Sequence, residues 1–125
     1  MLIVQACEFM FTGDGFYRHH DPSRYLARLP GVTVIDCHAT HRFLWPLAAR
    51  ADVLILPVIV GWELFPLIEK RRAEGKITVL ETNDYFHEMQ PWNPIAPYWL
   101  DPDVQAEHIR YIQECFAVQA TTETL

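Results

Sequence analysis

The chain has 125 residues, half of them apolar, which suits one domain with a packed core. Sixteen acids against ten bases give a net charge of −6, and that balance offers no electrostatic drive toward nucleic acid or anionic lipid. A neutral or weakly charged ligand fits better, and no apolar run approaches the ~20 residues that span a bilayer.

The first eleven residues are apolar but lack a basic flank and a small-residue cleavage site, so they do not read as a signal peptide. Leu2 to Cys7 is nearly continuous in apolar character, as expected of a strand covered on both faces. Thr12-Gly13-Asp14-Gly15 follows as a turn. Asp21-Pro22 predicts a helix start, an Asp cap followed by proline at the first helical position. Tyr25, Leu26 and Leu29 give that helix an apolar face, and Pro30-Gly31 ends it. Val32 to Ile35 is the second strand. Phe43 to Arg50 is a short helix limited by Pro46, and Asp52 to Leu56 is the third strand.

Leu64, Leu67, Ile68 and Arg71 repeat at helical spacing. Lys70, Arg71 and Arg72 suit the negative end of that helix, Pro66 belongs in its first turn, and Gly75 is its stop. Ile77 to Glu81 is the fourth strand. An irregular stretch rich in Trp, Tyr and Pro runs from Asn83 to Leu100. Asp101-Pro102 repeats the cap-plus-proline start. The helix after it carries Val104, His108, Tyr111, Ile112 and Cys115 as one stripe, and Phe116 to Thr121 is the fifth strand. Strands alternating with helices predict an α/β fold: a Rossmann-like three-layer domain with a parallel sheet of about five strands and helices on both faces. Ligands in such folds bind beyond the carboxyl ends of the strands.

Two loops at those ends carry candidate chemistry. Gly13 to Arg18 holds two glycines that permit close backbone approach, but it is neither G-x-G-x-x-G nor a P-loop. Arg18 either binds a hydroxyl pair, carboxylate or phosphate, or braces the loop by pairing with Asp14 or Asp21. Asn83, Asp84, His87 and Glu88 follow the fourth strand. Asp84 is suited to accept hydrogen bonds from sugar hydroxyls or to cap a turn. Trp92 and Trp99 either line an acceptor cleft or pack the long loop. The sequence supports no metal site, because neither Asp84-His87-Glu88 nor His38 and His41 has the further ligands a zinc site needs, and His19-His20 read as loop histidines. Cys7, Cys37 and Cys115 form no C-x-x-C pair and read as buried free thiols in a reducing cytoplasm. No G-x-S-x-G elbow or activated cysteine signature appears.

Two segments carry a resemblance. One is Gly13-Asp14-Gly15-Phe16-Tyr17-Arg18 with Pro22, Tyr25 and Leu26. The other is Val79-Leu80-Glu81-Thr82-Asn83-Asp84-Tyr85-Phe86 with Trp92-Asn93-Pro94. With the Phe116–Leu125 segment, they resemble the N-terminal, acceptor-side domain of GT-B fold glycosyltransferases, the bacterial group-1-like enzymes. Asn83 stands where that family often has a second acid. The resemblance implies transfer from a nucleotide-sugar donor to an acceptor saccharide or lipid-linked glycan. The donor would be bound by a second domain after Leu125, without which this half is inactive, and no cofactor is implied. It places Gly13, Asp14, Gly15, Tyr17, Arg18, Asn83, Asp84, His87 and Trp92 at the substrate, with Asp84 as the catalytic residue. A receiver-like regulator would need an acceptor Asp after the third strand, where Leu56-Pro57-Val58 stands. A non-catalytic Rossmann-like ligand-binding or interaction module is the alternative.

Overall fold

A computed structural model describes residues 1–7, 13, 15–58 and 62–120. Five strands, β1 (Leu2–Cys7), β2 (Thr33–His38), β3 (Val53–Leu56), β4 (Ile77–Thr82) and β5 (Ala117–Ala120), form one sheet in the order β2-β1-β3-β4-β5. Every pairing is parallel. The predicted α/β architecture is present. Its strand order is that of the flavodoxin-like branch of doubly wound sheets, in which the direction of winding switches between β1 and β3.

The register sorts the side chains into two faces, because successive residues of a strand point to opposite sides. Val4, Ile35, Leu54 and Thr78 share one face with Ala6, Cys37, Leu56 and Leu80. Three helices cover it: α2 (Leu44–Arg50), α3 (Phe65–Ala73) and α5 (Pro102–Glu114). Leu44, Ala48, Phe65, Leu67, Ile68 and Tyr111 close the core with these strand residues. The Phe65 and Tyr111 rings stack at 4.2 Å. A short helix, α4 (Ala96–Trp99), lies in the connection from β4 to α5.

The opposite face is covered differently. A π-helical turn, Gly15–His20, runs directly into α1 (Asp21–Leu26). Asp21 is therefore not the expected cap: the backbone of His20 is already helical and no side chain caps the junction. The expected apolar face of α1 is reduced to the half-buried Leu26. Tyr25 and Leu29 are exposed, whereas Ser23 and His19 are buried against the sheet. The sheet face beneath them presents polar groups, and a polar helix face satisfies those groups better than leucines would.

The other helix boundaries follow their local signals. Pro66 lies in the first turn of α3, and Gly75 ends it at φ +69, a left-handed conformation that glycine adopts without strain. The Asp101 side chain accepts from the backbone N–H of Asp103 at 2.8 Å and of Val104 at 3.4 Å, as a capping aspartate should. The α5 stripe is narrower than predicted: His108 and Tyr111 are buried, but Ile112 is exposed. β5 is an edge strand with all four residues exposed. Thr121 to Leu125 lie outside the described residues.

Arg71 does more than suit a helix end. It is fully buried. Its Nη1 donates to the carbonyls of Ala48 and of Ala51 (2.9 Å), its Nη2 to those of Asp52 (3.4 Å) and Ile77 (2.6 Å), and its Nε to Thr78 Oγ1 (3.0 Å). One guanidinium thus satisfies carbonyls left over at the end of α2 and ties the starts of β3 and β4 together.

Candidate site at the carboxyl edge of the sheet

On the face covered by the π-helical turn and α1, three strands each place one polar residue among apolar neighbours. These are Gln5 on β1, Asp36 on β2 and Glu81 on β4; Gln5 and Asp36 are register partners. A run of close polar contacts joins them. Asp36 Oδ1 accepts from Ser23 Oγ at 2.5 Å, and Ser23 Oγ lies 3.0 Å from Gln5 Oε1. Gln5 Nε2 lies 2.6 Å from His19 Nδ1 and donates to the Arg18 carbonyl at 3.2 Å. Arg18 then reaches across to β4: its Nε donates to Glu81 Oε1 at 2.6 Å, its Nη2 bonds the same oxygen, and Nη2 also donates to the Thr82 carbonyl at 3.3 Å.

Arg18 therefore braces, but its partner is neither of the acids near it in sequence. It pairs with Glu81, whose side chain is 5% exposed, so the charge is matched inside the protein. Asp21 pairs instead with Arg24 at 4.0 Å, and Asp14 lies outside the described residues. The consequence is positional. The segment after β1 and the segment after β4 are clamped together at the same end of the sheet.

The loop after β4 begins at this clamp. Thr82 Oγ1 donates to the Asp84 carbonyl at 3.3 Å, shaping the turn that leaves the Asp84 side chain exposed. Asn83 is half-buried between them. A single 3₁₀ turn, Phe86–Glu88, follows. Phe86 is buried and stacks on Trp99 at 3.9 Å, so Trp99, itself buried, packs the loop. Trp92 is different: it is 81% exposed. Tyr17, on the π-helical turn, is 73% exposed. Of the predicted glycines, Gly15 is buried and Gly13 has nothing within 4 Å of where a Cβ would stand. The structure thus brings Arg18, Asn83 and Asp84 to one edge and leaves Tyr17 and Trp92 as open aromatic surfaces.

His87 packs inward from the same loop. Its ring stacks on His108 of α5 with centroids 5.2 Å apart, and His87 Nε2 lies 3.1 Å from His108 Nδ1. Gln105 Nε2 donates to the His87 carbonyl at 3.3 Å and fixes the turn to α5. Burial, with His87 adding to it, pushes the pKa of His108 down to about 4.

The histidines His19 and His20 are not loop residues. They end the π-helical turn, and His19 is buried against Gln5. His38 and His41 make local bonds, to Thr40 and to the backbone N–H of Phe43. Cys7 and Cys37 are buried free thiols, and burial raises Cys7 to about 11 and Cys37 in the same direction, which keeps both protonated and unreactive. Among the described residues no helix is long and apolar enough to cross a membrane, and no group of three or more His, Cys, Asp or Glu is placed to hold a metal.

The polar network was accessible in principle from sequence. Gln5, Asp36 and Glu81 each interrupt an apolar strand near its carboxyl end, and a parallel sheet aligns such interruptions. Comparison with family models, with curated proteins and with solved structures finds no match to this chain.

Proposed function

We propose that this chain is the acceptor-side half of a glycosyltransferase, which holds a sugar acceptor at the carboxyl edge of the sheet while a second domain presents the nucleotide sugar. The reading rests on the glycine-turn and post-β4 motifs of the resemblance, and one structural observation carries it furthest. Arg18 donates to both Glu81 and the Thr82 carbonyl, so the two motif-bearing segments meet at one edge. Asp84 is exposed beside that clamp, and Tyr17 and Trp92 offer faces on which the C–H surface of a sugar stacks. The acidic chain suits neutral hydroxyl-bearing acceptors better than phosphate-rich ones.

In this reading Asp84 accepts hydrogen bonds from the acceptor hydroxyls, and Arg18 acts as a brace and not as a ligand contact. If the reaction inverts, the hydroxyl proton goes to Asp84 or to His87. The test is Asp84→Ala, followed by calorimetric titration with acceptor sugars and by turnover with the donor-binding half present. The expected result is acceptor affinity at least tenfold weaker and turnover lost to a similar extent. Unchanged binding and turnover would remove Asp84 from the site. A folded chain that binds no saccharide would favour the non-catalytic ligand-binding or interaction module.

A further inference from the structure

The strand β2 forms one edge of the sheet, and an open groove of about 300 Å³ lies beside it. Ile35, Asp36, Cys37 and His38 all line the groove. Consecutive strand residues point to opposite faces, so a groove touched by four in a row runs along the outer edge of the strand. Leu47 of α2 and Phe43, just before that helix, form the opposite wall. The surface is mainly apolar: Ile35 and Leu47 are half-buried, and Phe43 is 49% exposed. Small-molecule sites of ~300 Å³ and above combine such walls with a few placed polar groups.

The polar groups here are donors of fixed identity. His38 and His41 both line the groove. His38 Nδ1 accepts from the backbone N–H of Thr40 at 3.2 Å, and His41 Nδ1 accepts from that of Phe43 at 3.3 Å. A neutral imidazole that accepts on Nδ1 carries its proton on Nε2, so each ring keeps an Nε2–H to donate. The His41 ring also stands 5.5 Å from that of Phe43. The strand adds its backbone. Thr33 N–H bonds the Met1 carbonyl and Ala39 N–H bonds that of Cys7, so the odd-numbered residues turn toward β1 and Asp36 N–H and C=O face the open edge.

We propose that this groove is a subsite for an uncharged aromatic ring, bearing an oxygen acceptor, that the sugar acceptor carries as its aglycone. The inference rests on the sugar-acceptor reading and names the class of acceptor: an aryl glycoside, not a free sugar. The ring lies on Ile35, Leu47 and Phe43, and its oxygen substituent takes a hydrogen bond from His38 or His41.

Charge and reach both favour that occupant. Asp36 is the one carboxylate lining the groove, and no lysine or arginine lines it, so a phosphate-bearing group is disfavoured there. Asp36 is also the end of the run of polar contacts that leads through Ser23, Gln5 and Arg18 to Glu81, which makes the groove continuous with the clamp. Cys7 pairs in register with His38, and Gln5, Ile55 and Val79 align across β1, β3 and β4, so His38 stands level with Glu81. Three strand spacings of ~4.8 Å separate β2 from β4, about 14 Å in all. A glycoside with its ring in the groove and its sugar crossing β1 and β3 therefore brings its far hydroxyls to the loop that carries Asn83 and Asp84.

The experiment is calorimetric titration of the 125-residue chain with 4-nitrophenyl β-lactoside and with methyl β-lactoside, joined by ring ¹⁵N NMR of the histidines. The subsite predicts at least tenfold tighter binding of the aryl glycoside, with the Nε2 signals of His38 and His41 shifted by it alone. Phe43→Ser should cut the advantage to below threefold and leave methyl lactoside binding as it was, which also shows that the variant is folded. Should Phe43→Ser lose its fold by circular dichroism, His41→Ala, at an exposed position, decides in its place by cutting the advantage at least threefold. An advantage below tenfold, one that survives the substitution, or unmoved His38 and His41 signals would overturn the subsite. Methyl lactoside that shifts Asn83 and Asp84 without an aryl advantage removes the groove and leaves the transferase reading standing. 4-Nitrophenol that shifts His38 and His41 while neither lactoside moves Asn83 or Asp84 keeps the groove as a ring site and removes the transferase reading.

Discussion

Replacing Arg71 by methionine is expected to cost about 3–5 kcal/mol of folding stability, because several buried acceptors lose their donor at about 1–3 kcal/mol each. Methionine restores most of the volume but none of the donors. The carbonyls of Ala48, Ala51 and Ile77 and the hydroxyl of Thr78 would then be buried without the guanidinium that now satisfies them. The site is far from the carboxyl edge, since Asp52 and Ile77 begin or precede their strands, so the loss should be global and not confined to the loops. Arg71→Lys should recover little, because an ammonium group cannot span acceptors on α2, β3 and β4 at once. Urea denaturation followed by far-UV circular dichroism measures both. An unfolding free energy within about 1 kcal/mol of the parent for Arg71→Met would show that the carbonyls find other partners.

Glu81→Ala is expected to cost about 2–3 kcal/mol, the scale of a partly buried hydrogen bond to a charged group whose partner is left behind. Glu81 receives two of Arg18's donors on a single oxygen, and the Arg18 side chain is only 19% exposed. Unlike the Arg71 change, this one should be local. Releasing Arg18 frees the π-helical turn from β4, so limited proteolysis should cut near Gly15–His20 before the rest of the chain. Arg18→Met should cost a comparable amount, and the double variant should cost much less than the sum, the signature of a direct pair in a mutant cycle. Additive losses would show that each residue acts through some other contact.

Much of the fold was legible in the sequence because its signals were local. The apolar runs of β1, β3 and β4, the Asp101-Pro102 start, Pro66 in a first turn and Gly75 after a helix each depend on a few neighbouring residues, and each stands where those residues required. The misread features all depended on what packs opposite. α1 looked apolar through Tyr25 and Leu29, but its buried side is chosen by Gln5 and Asp36, on strands 18 and 13 residues away. Arg18 had acids close by in sequence, yet its partner is 63 residues on, because β4 and the π-helical turn meet only once the sheet has formed. Arg71 read as a last-turn cation suited to the negative helix end, and only the junction of α2, β3 and β4 explains its burial.

The candidate site was legible as two loops but not as a clamp. Asn83 and Asp84 were visible as polar residues after a strand. His87 was visible too, but its stacking on His108 depends on how the 83–100 segment folds back over α5. That segment also holds Phe86 stacked on Trp99, a pairing between residues thirteen apart that no periodicity announces.

The most direct test is backbone and indole NMR shift mapping of the isotope-labelled chain during titration with lactose and N-acetylglucosamine. The sugar-acceptor reading predicts saturable shifts at Tyr17, Asn83, Asp84, His87 and the Trp92 indole, with Gly75 and Lys76 at the far end of β4 unmoved. No saturable shifts with either sugar, or shifts gathered at Gly75 and Lys76, would contradict it.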